Sequence, residues 1–162
     1  MQTKHANRFI GIIALVFALG AISATAHAQD TTLAQKLDTI KRGLLQCTYY
    51  QSVEFVRDED PTHIVLDFVD PDRTRTLVPL HHIDRMRKFS KSYGSYGDEV
   101  IELRCRNVPG NCVQFRWDAF TEYKRISAAN LLFPTDYPGC GDDNYHNVAT
   151  QFELLLRENL LQ

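Results

Sequence analysis

The sequence predicts a single α+β domain, in which a bent antiparallel sheet of five or more strands lies between an N-terminal and a C-terminal amphipathic helix. Two observations predict this fold class. Apolar residues recur at helical spacing near the two ends of the chain, and short alternating segments separated by turn residues occupy the middle. Segments that follow one another through short turns favour antiparallel pairing.

The first 28 residues have the three parts of a secretory signal peptide. Lys4 and Arg8 precede the apolar run Phe9–Ile22, and the small-residue site Ala26-His27-Ala28 follows it. The apolar run has 14 residues, which is short for a hydrocarbon core of ~30 Å. We therefore expect an export signal cleaved after Ala28 rather than a membrane-spanning anchor, and a periplasmic or secreted domain over residues 29–162.

Length and charge exclude several classes of protein. The chain has 162 residues, too few for a multidomain enzyme. Its 18 basic and 20 acidic residues give a formal net charge of −2 at pH 7, which becomes more negative when Lys4 and Arg8 are removed. A general nucleic-acid binder is normally basic, so we expect no nucleic-acid partner.

All four cysteines follow the predicted signal peptide, and an even number in an exported protein predicts two disulfides. Sequence alone leaves the pairing open, but the turn pair Pro109-Gly110 would bring Cys105 close to Cys112 and leave Cys47 for Cys140. A zinc site needs close pairs such as C-x₂-C, and redox catalysis needs C-x-x-C. The closest pair here has six residues between its members, so we expect neither a metal nor a cofactor.

The two helices are predicted from periodic apolar residues. Asp30–Gln46 carries leucine or isoleucine at positions 33, 37, 40 and 44, which form one face of a helix. Asn144–Leu160 is predicted as the C-terminal helix, capped by Asp142 or Asp143. Its apolar face comprises Tyr145, Val148, Ala149, Phe152, Leu155 and Leu156. The segment Asp118–Asp136 fits either helix or strand.

Five strands are predicted between the helices. They are Thr48–Val56, Ile64–Phe68, Thr74–Leu80, Val100–Cys105 and Val113–Trp117. Pro79 cannot donate a hydrogen bond to a neighbouring strand, which places the third strand at an edge of the sheet or ends it there. The fourth and fifth strands are predicted to pair as a hairpin, with Leu103 opposite Phe115 and Ile101 opposite Trp117, because this register gives a buried face.

The strand that ends in Cys105, the second cysteine Cys112 before the return strand and the closing helix Asn144–Leu160 together resemble small bacterial periplasmic proteins with a PH-like build. The resemblance covers Thr48–Leu160. It implies a bent antiparallel sheet plugged by a C-terminal helix, in a domain that binds partners rather than catalyses a reaction. The long segment before the helix and the second cysteine pair depart from its pattern, and it carries no site motif.

Two segments carry residues that can bind metals, and neither is predicted to hold an ion. His81 and His82 are adjacent, and adjacent residues of a strand point to opposite faces, so we expect them to end an edge strand. Gly139–Asn144 clusters oxygen ligands but lacks the D-x-D-x-D-G spacing of a calcium loop. A disulfide-tied turn leading into a helix explains its residues.

No catalytic residue is assigned, because the chain contains none of the motifs G-x-S-x-G, H-E-x-x-H, S-x-x-K or G-x-x-x-x-G-K. An envelope enzyme whose site assembles only in three dimensions stays an alternative. A deep pocket that holds His63, His81 or His146 beside a carboxylate would favour that alternative, and a flat polar surface would count against it.

The segment Arg85–Tyr96 is the predicted binding site. Basic residues precede tyrosines on a glycine-serine backbone, and the predicted contacts are Arg85, Arg87, Lys88, Lys91, Tyr93 and Tyr96. Arginine and tyrosine are enriched at interface hot spots, and tyrosine gives contact area at little entropic cost. We expect Lys91–Gly97 to project as a loop that contacts an acidic protein, an anionic glycan or lipid headgroups.

The leading functional hypothesis is a non-catalytic binding module of the bacterial cell envelope with a protein partner. A narrower form is an inhibitor or immunity protein of a cell-wall enzyme, because small disulfide-tied exported domains suit that role and an acidic net charge suits a basic target. A homodimer through the edge strand Thr74–Leu80 is a further alternative.

Overall fold

A computed structural model describes residues 32–57, 63–93, 96–106 and 111–158, without the side chains of Tyr93 and Tyr96. The chain divides into two compact units, Met1–Gln35 and Lys36–Gln162. Only residues 32–35 of the first unit are described, so the predicted signal peptide lies outside the described residues. The account below concerns the second unit.

The fold class is α+β, as predicted, with two helices and eight strands in the described ranges. Helix α1 covers residues 32–46, helix α2 covers Asp142–Arg157, and a 3₁₀ turn covers Leu80–His82. The strands are β1 Ser52–Arg57, β2 Ile64–Val69, β3 Arg75–Pro79, β4 Ile83–Tyr93, β5 Tyr96–Cys105, β6 Val113–Arg116, β7 Lys124–Ile126 and β8 Ala128–Pro134.

The strands form two antiparallel sheets instead of the one bent sheet predicted. Five strands pair in the order β1-β2-β3-β6-β7, and three pair in the order β4-β5-β8. The chain leaves the first sheet at Pro79, which has no N–H to donate, and the 3₁₀ turn redirects it into β4. Strand β3 is therefore internal, because β2 and β6 pair with its two sides. Strand β6 therefore occupies the edge that was predicted to carry a homodimer, along Arg75–Leu77.

The predicted hairpin between Val100–Cys105 and Val113–Trp117 is wrong. Strand β5 pairs with β4 and β8, where Ile101 lies opposite Leu131 and Leu103 opposite Ala129. These apolar pairs supply the buried face that the sequence alone assigned to β6. Strand β6 has four residues and joins the other sheet.

Both predicted disulfides are present. Cys105 and Cys112 are bonded across seven residues of sequence, and Cys47 and Cys140 across 93. Because β5 and β6 belong to different sheets, the Cys105–Cys112 bond links the two sheets at that point instead of closing a hairpin.

The segment Asp118–Asp136 is a strand region that contains β7 and β8, which resolves the helix–strand ambiguity. Helix α2 begins at Asp142, two residues before the predicted start, and its predicted end at Leu160 lies outside the described residues. Gly141 is the N-cap and no side chain caps the helix, so the predicted aspartate cap is wrong. Asp142 and Asp143 lie in the first turn, where negative charge still favours the helix dipole.

The core of the second unit lies between the helices and the two sheets. Its largest fully buried side chains include Ile40 and Leu44 of α1, Leu66 of β2, Phe133 of β8 and Phe152 of α2. Their burial is the main favourable contribution to folding.

The two helices approach each other closely at Gly43. A Cβ added there would lie 2.4 Å from Val148 Cγ2, so this contact requires a residue without a side chain. The Asn144 amide donates 2.7 Å hydrogen bonds to the carbonyl oxygens of Gly43 and Gly139. These bonds hold the start of α2 against α1.

Tyr50 makes the stability of the folded protein decrease as the pH rises in the alkaline range. The Tyr50 hydroxyl is buried and donates a 2.9 Å hydrogen bond to the Leu132 carbonyl, and burial is the main cause that raises its pKa well above 10. Burial, followed by the charge of Asp70, raises the pKa of Tyr49 to about 12. Above pH 10 the unfolded tyrosines lose protons that the folded ones keep, so the folded state binds more protons and loses stability as pH rises.

We therefore expect the free energy of unfolding to fall steadily between pH 10 and about 12. Urea unfolding followed by circular dichroism at several pH values in that window measures this loss. Tyr50→Phe should make the alkaline loss shallower, at a cost near neutral pH of about 1 kcal/mol for the broken hydrogen bond. An equal slope in wild type and Tyr50→Phe would contradict the assignment.

Candidate binding face

The predicted binding segment is a β-hairpin and not a projecting loop. Strands β4 and β5 pair from Ile83 opposite Cys105 to Tyr93 opposite Tyr96, with a bulge between Ile83 and Arg85. Lys91 and Gly97, the bounds of the predicted loop, lie within the strands. The sequence pattern did not predict strand β4. Polar and basic residues are frequent on both of its faces, and the strand therefore lacks the alternation of apolar and polar residues by which a strand is recognised.

Strand alternation separates the predicted basic residues. Arg85, Arg87 and Lys91 share one face of β4, while Lys88 lies on the other face. Lys88 Nζ lies 2.6 Å from Glu153 Oε1 of α2, in an ion pair in which both side chains are about half exposed. Lys88 is thus paired with the helix and separated from the other three. The side chains of Tyr93 and Tyr96 lie outside the described residues.

Strand β5 brings two further arginines to the same place. Arg104 is the register partner of Arg85, so the two side chains share a face, and Arg106 follows directly after the strand. Arg85, Arg104 and Arg106 line one surface pocket of about 190 Å³, together with Asp84 and Cys105. We call the surface formed by Arg85, Arg87, Lys91, Arg104 and Arg106 the basic face.

Sequence reasoning missed Arg104 and Arg106 because it paired their strand with β6. Their basic character was visible, but only the β4–β5 register shows that Arg104 lies opposite Arg85. Assigning the segment between His82 and Arg106 as one β-hairpin would have predicted that Arg85 and Arg104 lie opposite each other. Long-range pairing therefore decided which cations share a surface.

The basic face combines one cross-strand pair of like charges, Arg85 opposite Arg104, with two pairs of opposite charge, Arg87 opposite Glu102 and Lys91 opposite Asp98. Cations directly opposite each other on neighbouring strands destabilise a sheet, as Arg85 and Arg104 do here. Glu102 offsets part of this repulsion, since it accepts a 2.6 Å hydrogen bond from Arg104 Nε and raises the pKa of that guanidinium further. Lys91 Nζ lies 5.7 Å from the centre of the Phe89 ring. The face combines cations with an apolar ring, which suits an anionic partner.

The histidines do not end an edge strand. His81 and His82 lie in the 3₁₀ turn, and the rings of His63 and His81 stack with centroids 4.2 Å apart, while His82 lies 4.1 Å from His81. The prediction of opposite faces fails because it assumed strand geometry. Across the described ranges, no group of three or more His, Cys, Asp or Glu side chains is arranged to hold a metal ion.

The acidic turn before α2 borders an open surface cavity of about 600 Å³. Its lining comprises Gln46, Gly139, Gly141, Asp142, Asp143 and Asn144. Asn144 uses its amide group to bond two backbone carbonyls, and the Cys47–Cys140 disulfide ties the turn to the end of α1. Each of these contacts serves to position the helix start.

One groove contains a histidine beside carboxylates. His146, Glu99 and Asp142 line a surface groove of about 330 Å³ between α2 and the β4–β5 strands, with Ser90 at its wall. The Ser90 hydroxyl donates a 2.7 Å hydrogen bond to Glu99 Oε1. Ser90 therefore bonds to a carboxylate and not to His146, which is not the arrangement of an activated nucleophile.

No family model matches this chain, and no curated protein or solved structure is similar to it. Within the part of the chain that the structure describes, none of the helices combines the length and apolar character needed to cross a membrane.

Proposed function

We propose that this chain is an exported, non-catalytic binding protein of the bacterial envelope, which docks an acidic protein through its basic face. The cluster of Arg85, Arg104 and Arg106 around one surface pocket carries the proposal, because Arg85 and Arg104 lie directly opposite each other and like charges in that arrangement repel. An anionic group bound between them would remove the repulsion. Arginine also pairs carboxylates with two parallel hydrogen bonds, which gives such a contact direction as well as strength.

Export is part of the proposal. The two disulfides are consistent with an oxidising compartment outside the cytoplasm, and the N-terminal sequence has the pattern of a signal peptide. We propose a periplasmic or secreted location with cleavage after Ala28. The resemblance to small periplasmic proteins of PH-like build stays a prediction that agrees with a binding role.

In the narrower form of the proposal, the partner is a cell-wall enzyme and this chain inhibits it. Inhibition requires a part of the chain that enters or covers the active site. The hairpin end at Tyr93 and Tyr96 is the place we propose for that contact, with the basic face beside it. Such an enzyme would be basic overall, which suits the acidic net charge of this chain, and would present acidic residues locally where it meets the basic face.

Affinity capture with matched variants tests the proposal. The purified protein is immobilised as bait and exposed to an envelope extract of the source bacterium. The double variant Arg85→Gln/Arg104→Gln is used as a second bait in parallel. We expect one dominant protein, retained about tenfold or more weakly by the variant because hot-spot arginines carry most of an interface energy. The double variant Arg42→Gln/Arg157→Gln changes net charge equally on exposed helix positions and should retain the partner fully.

Equal weakening of retention in the two double variants would show that general charge, and not this face, captures the partner, and full retention by both would exclude the basic face as the contact. A Tyr93→Ala/Tyr96→Ala variant, checked for folding, tests the hairpin end separately. If purified partner proves to be a cell-wall enzyme, its activity with and without the bait decides the inhibitor form. Unchanged activity at saturating bait would rule that form out.

A small envelope enzyme is the second candidate function, and the groove with His146, Glu99 and Asp142 is the observation that favours it. Hydrolysis of purified cell-wall fragments and of simple ester substrates measures such activity. Activity that His146→Ala abolishes would favour the enzyme. Turnover that the variant leaves unchanged, or no turnover, would count against this groove as a catalytic site.

A further inference from the structure

The loop between β6 and β7, residues 117–123, displays apolar side chains to solvent. Phe120 is 98% exposed, Trp117 is 51% exposed, and Ile126 of the adjoining strand is 36% exposed. Ile126 lies opposite Val113, at the end of β7 away from the loop, but Trp117 and Phe120 lie within the loop itself, three positions apart. We call Trp117 and Phe120, with Lys124 beside the Trp117 ring, the aromatic tip.

The loop is held in shape by its own hydrogen bonds. The Asp118 carboxylate accepts hydrogen bonds from the backbone N–H groups of Phe120 and Thr121, with N···O distances of 2.7 and 2.9 Å. The Thr121 hydroxyl donates to the Asp118 carbonyl at 3.2 Å. These bonds close a local turn that presents Phe120 outward, with little conformational entropy left to lose on binding.

Cations lie directly beside these aromatic rings. Lys124 Nζ lies 4.5 Å from the centre of the Trp117 ring, and the Arg116 guanidinium lies 4.8 Å from that of Tyr123. Arg125 follows Lys124 in the strand and therefore points to the other face of β7, where it lines a pocket with His81 and His82. The acidic residues nearby are Asp118, whose carboxylate is turned to the loop backbone, and Glu122.

We propose that the aromatic tip anchors this protein to the surface of an anionic lipid bilayer. Trp and Tyr favour the membrane–water interface, where one end of the ring is apolar and the other wet. Phe120 would enter the boundary between headgroups and acyl chains, while Arg116 and Lys124 contact anionic headgroups. This proposal is independent of the basic face and of the proposed function.

A lipid surface fits this tip better than a second copy of the chain does. Phe120 protrudes, so a protein partner would need an apolar pocket to receive it. The three surface pockets whose volumes are given above are lined mainly by charged and polar residues. Two copies of the tip facing each other would also bring Lys124 against its own equivalent, which is repulsive.

Trp117 is the single tryptophan of the chain, so its fluorescence reports on the tip without any label. The protein is titrated with vesicles of phosphatidylglycerol mixed with phosphatidylcholine, and with pure phosphatidylcholine vesicles. We expect a blue shift and co-sedimentation with the anionic vesicles. Phe120→Ser should weaken this binding about tenfold or more, because it removes the side chain that enters the bilayer.

Two further variants distinguish insertion of the aromatic tip from nonspecific adsorption of the protein to vesicles. Val56→Ser removes an exposed apolar side chain from β1, the opposite edge strand of the same sheet, and should bind as wild type does. Lys124→Gln should bind anionic vesicles about fivefold more weakly than wild type. All variants share the same N-terminal region, so any contribution of the apolar run Phe9–Ile22 is common to them.

Three results would overturn the proposal. Wild type and Phe120→Ser could bind vesicles equally, which would exclude the tip as the anchor. Equal binding to anionic and neutral vesicles would exclude an anionic surface as the occupant. Concentration-dependent association in sedimentation, lost in Phe120→Ser and unaccompanied by vesicle binding, would assign the tip to a second copy of the chain.

Discussion

Replacement of both Cys47 and Cys140 by alanine should lower the free energy of unfolding by about 4.5 kcal/mol, because the bond spans 93 residues of sequence. In the chain-entropy account, a cross-link stabilises a protein by restricting its unfolded chain, and a longer loop gives a larger effect. Both cysteines are buried, so alanine avoids a buried free thiol at either position. This loss is a large part of the stability of a typical small domain.

The second disulfide is the internal control for this prediction. Cys105 and Cys112 are seven residues apart, so their double alanine variant should lose only about 2.4 kcal/mol. Urea unfolding of the oxidised wild type and the two double variants measures both losses under one set of conditions. Equal losses would show that loop length does not govern the contribution of these bonds.

Gly139→Ala should destabilise the protein by about 3 kcal/mol, for two independent reasons. Gly139 has φ of +76°, a backbone conformation that costs a residue with a side chain about 1–2 kcal/mol. An added Cβ would also lie 1.9 Å from the carbonyl oxygen of Gln46, so the backbone of one segment must move. That movement would disturb the neighbouring Cys47–Cys140 bond and the start of α2.

Gly141→Ala is the matched control, two residues further along the same turn. Gly141 has φ of −65°, and a Cβ added there meets nothing within 4 Å. Because its backbone conformation is open to any residue, we expect a change well under 1 kcal/mol. Thermal unfolding of the two variants compares them directly. A loss in Gly141→Ala as large as that in Gly139→Ala would mean that the turn tolerates no side chain anywhere.

The helices and the disulfides could be predicted from the sequence because their signals are local. Leu37, Ile40 and Leu44 are buried at the spacing that identified α1, and the apolar face predicted for α2 is buried except for half-buried Leu156. The pairing of Cys105 with Cys112 follows from their closeness along the chain. Two cysteines seven residues apart meet under either strand pairing.

The sheet arrangement could not be predicted in the same way, since register and partner choice depend on distant residues. Ile101 and Leu103 required an apolar strand opposite them, and the sequence offered both β6 and β8. The tertiary structure selected β8, and β4 took the other side of β5 because ten of its residues find partners there. This choice also separated the strands into two sheets.

The sequence by itself determined the α+β class, both helices, the presence of two disulfides and the basic character of the segment from Arg85 to Lys91. The tertiary structure alone decided which cations share a face, because strand alternation and register set side-chain direction. It paired Lys88 with Glu153 and brought Arg104 opposite Arg85. It alone also exposed Phe120, since the turn around Asp118 directs that ring outward, away from the core to which its apolar character would assign it.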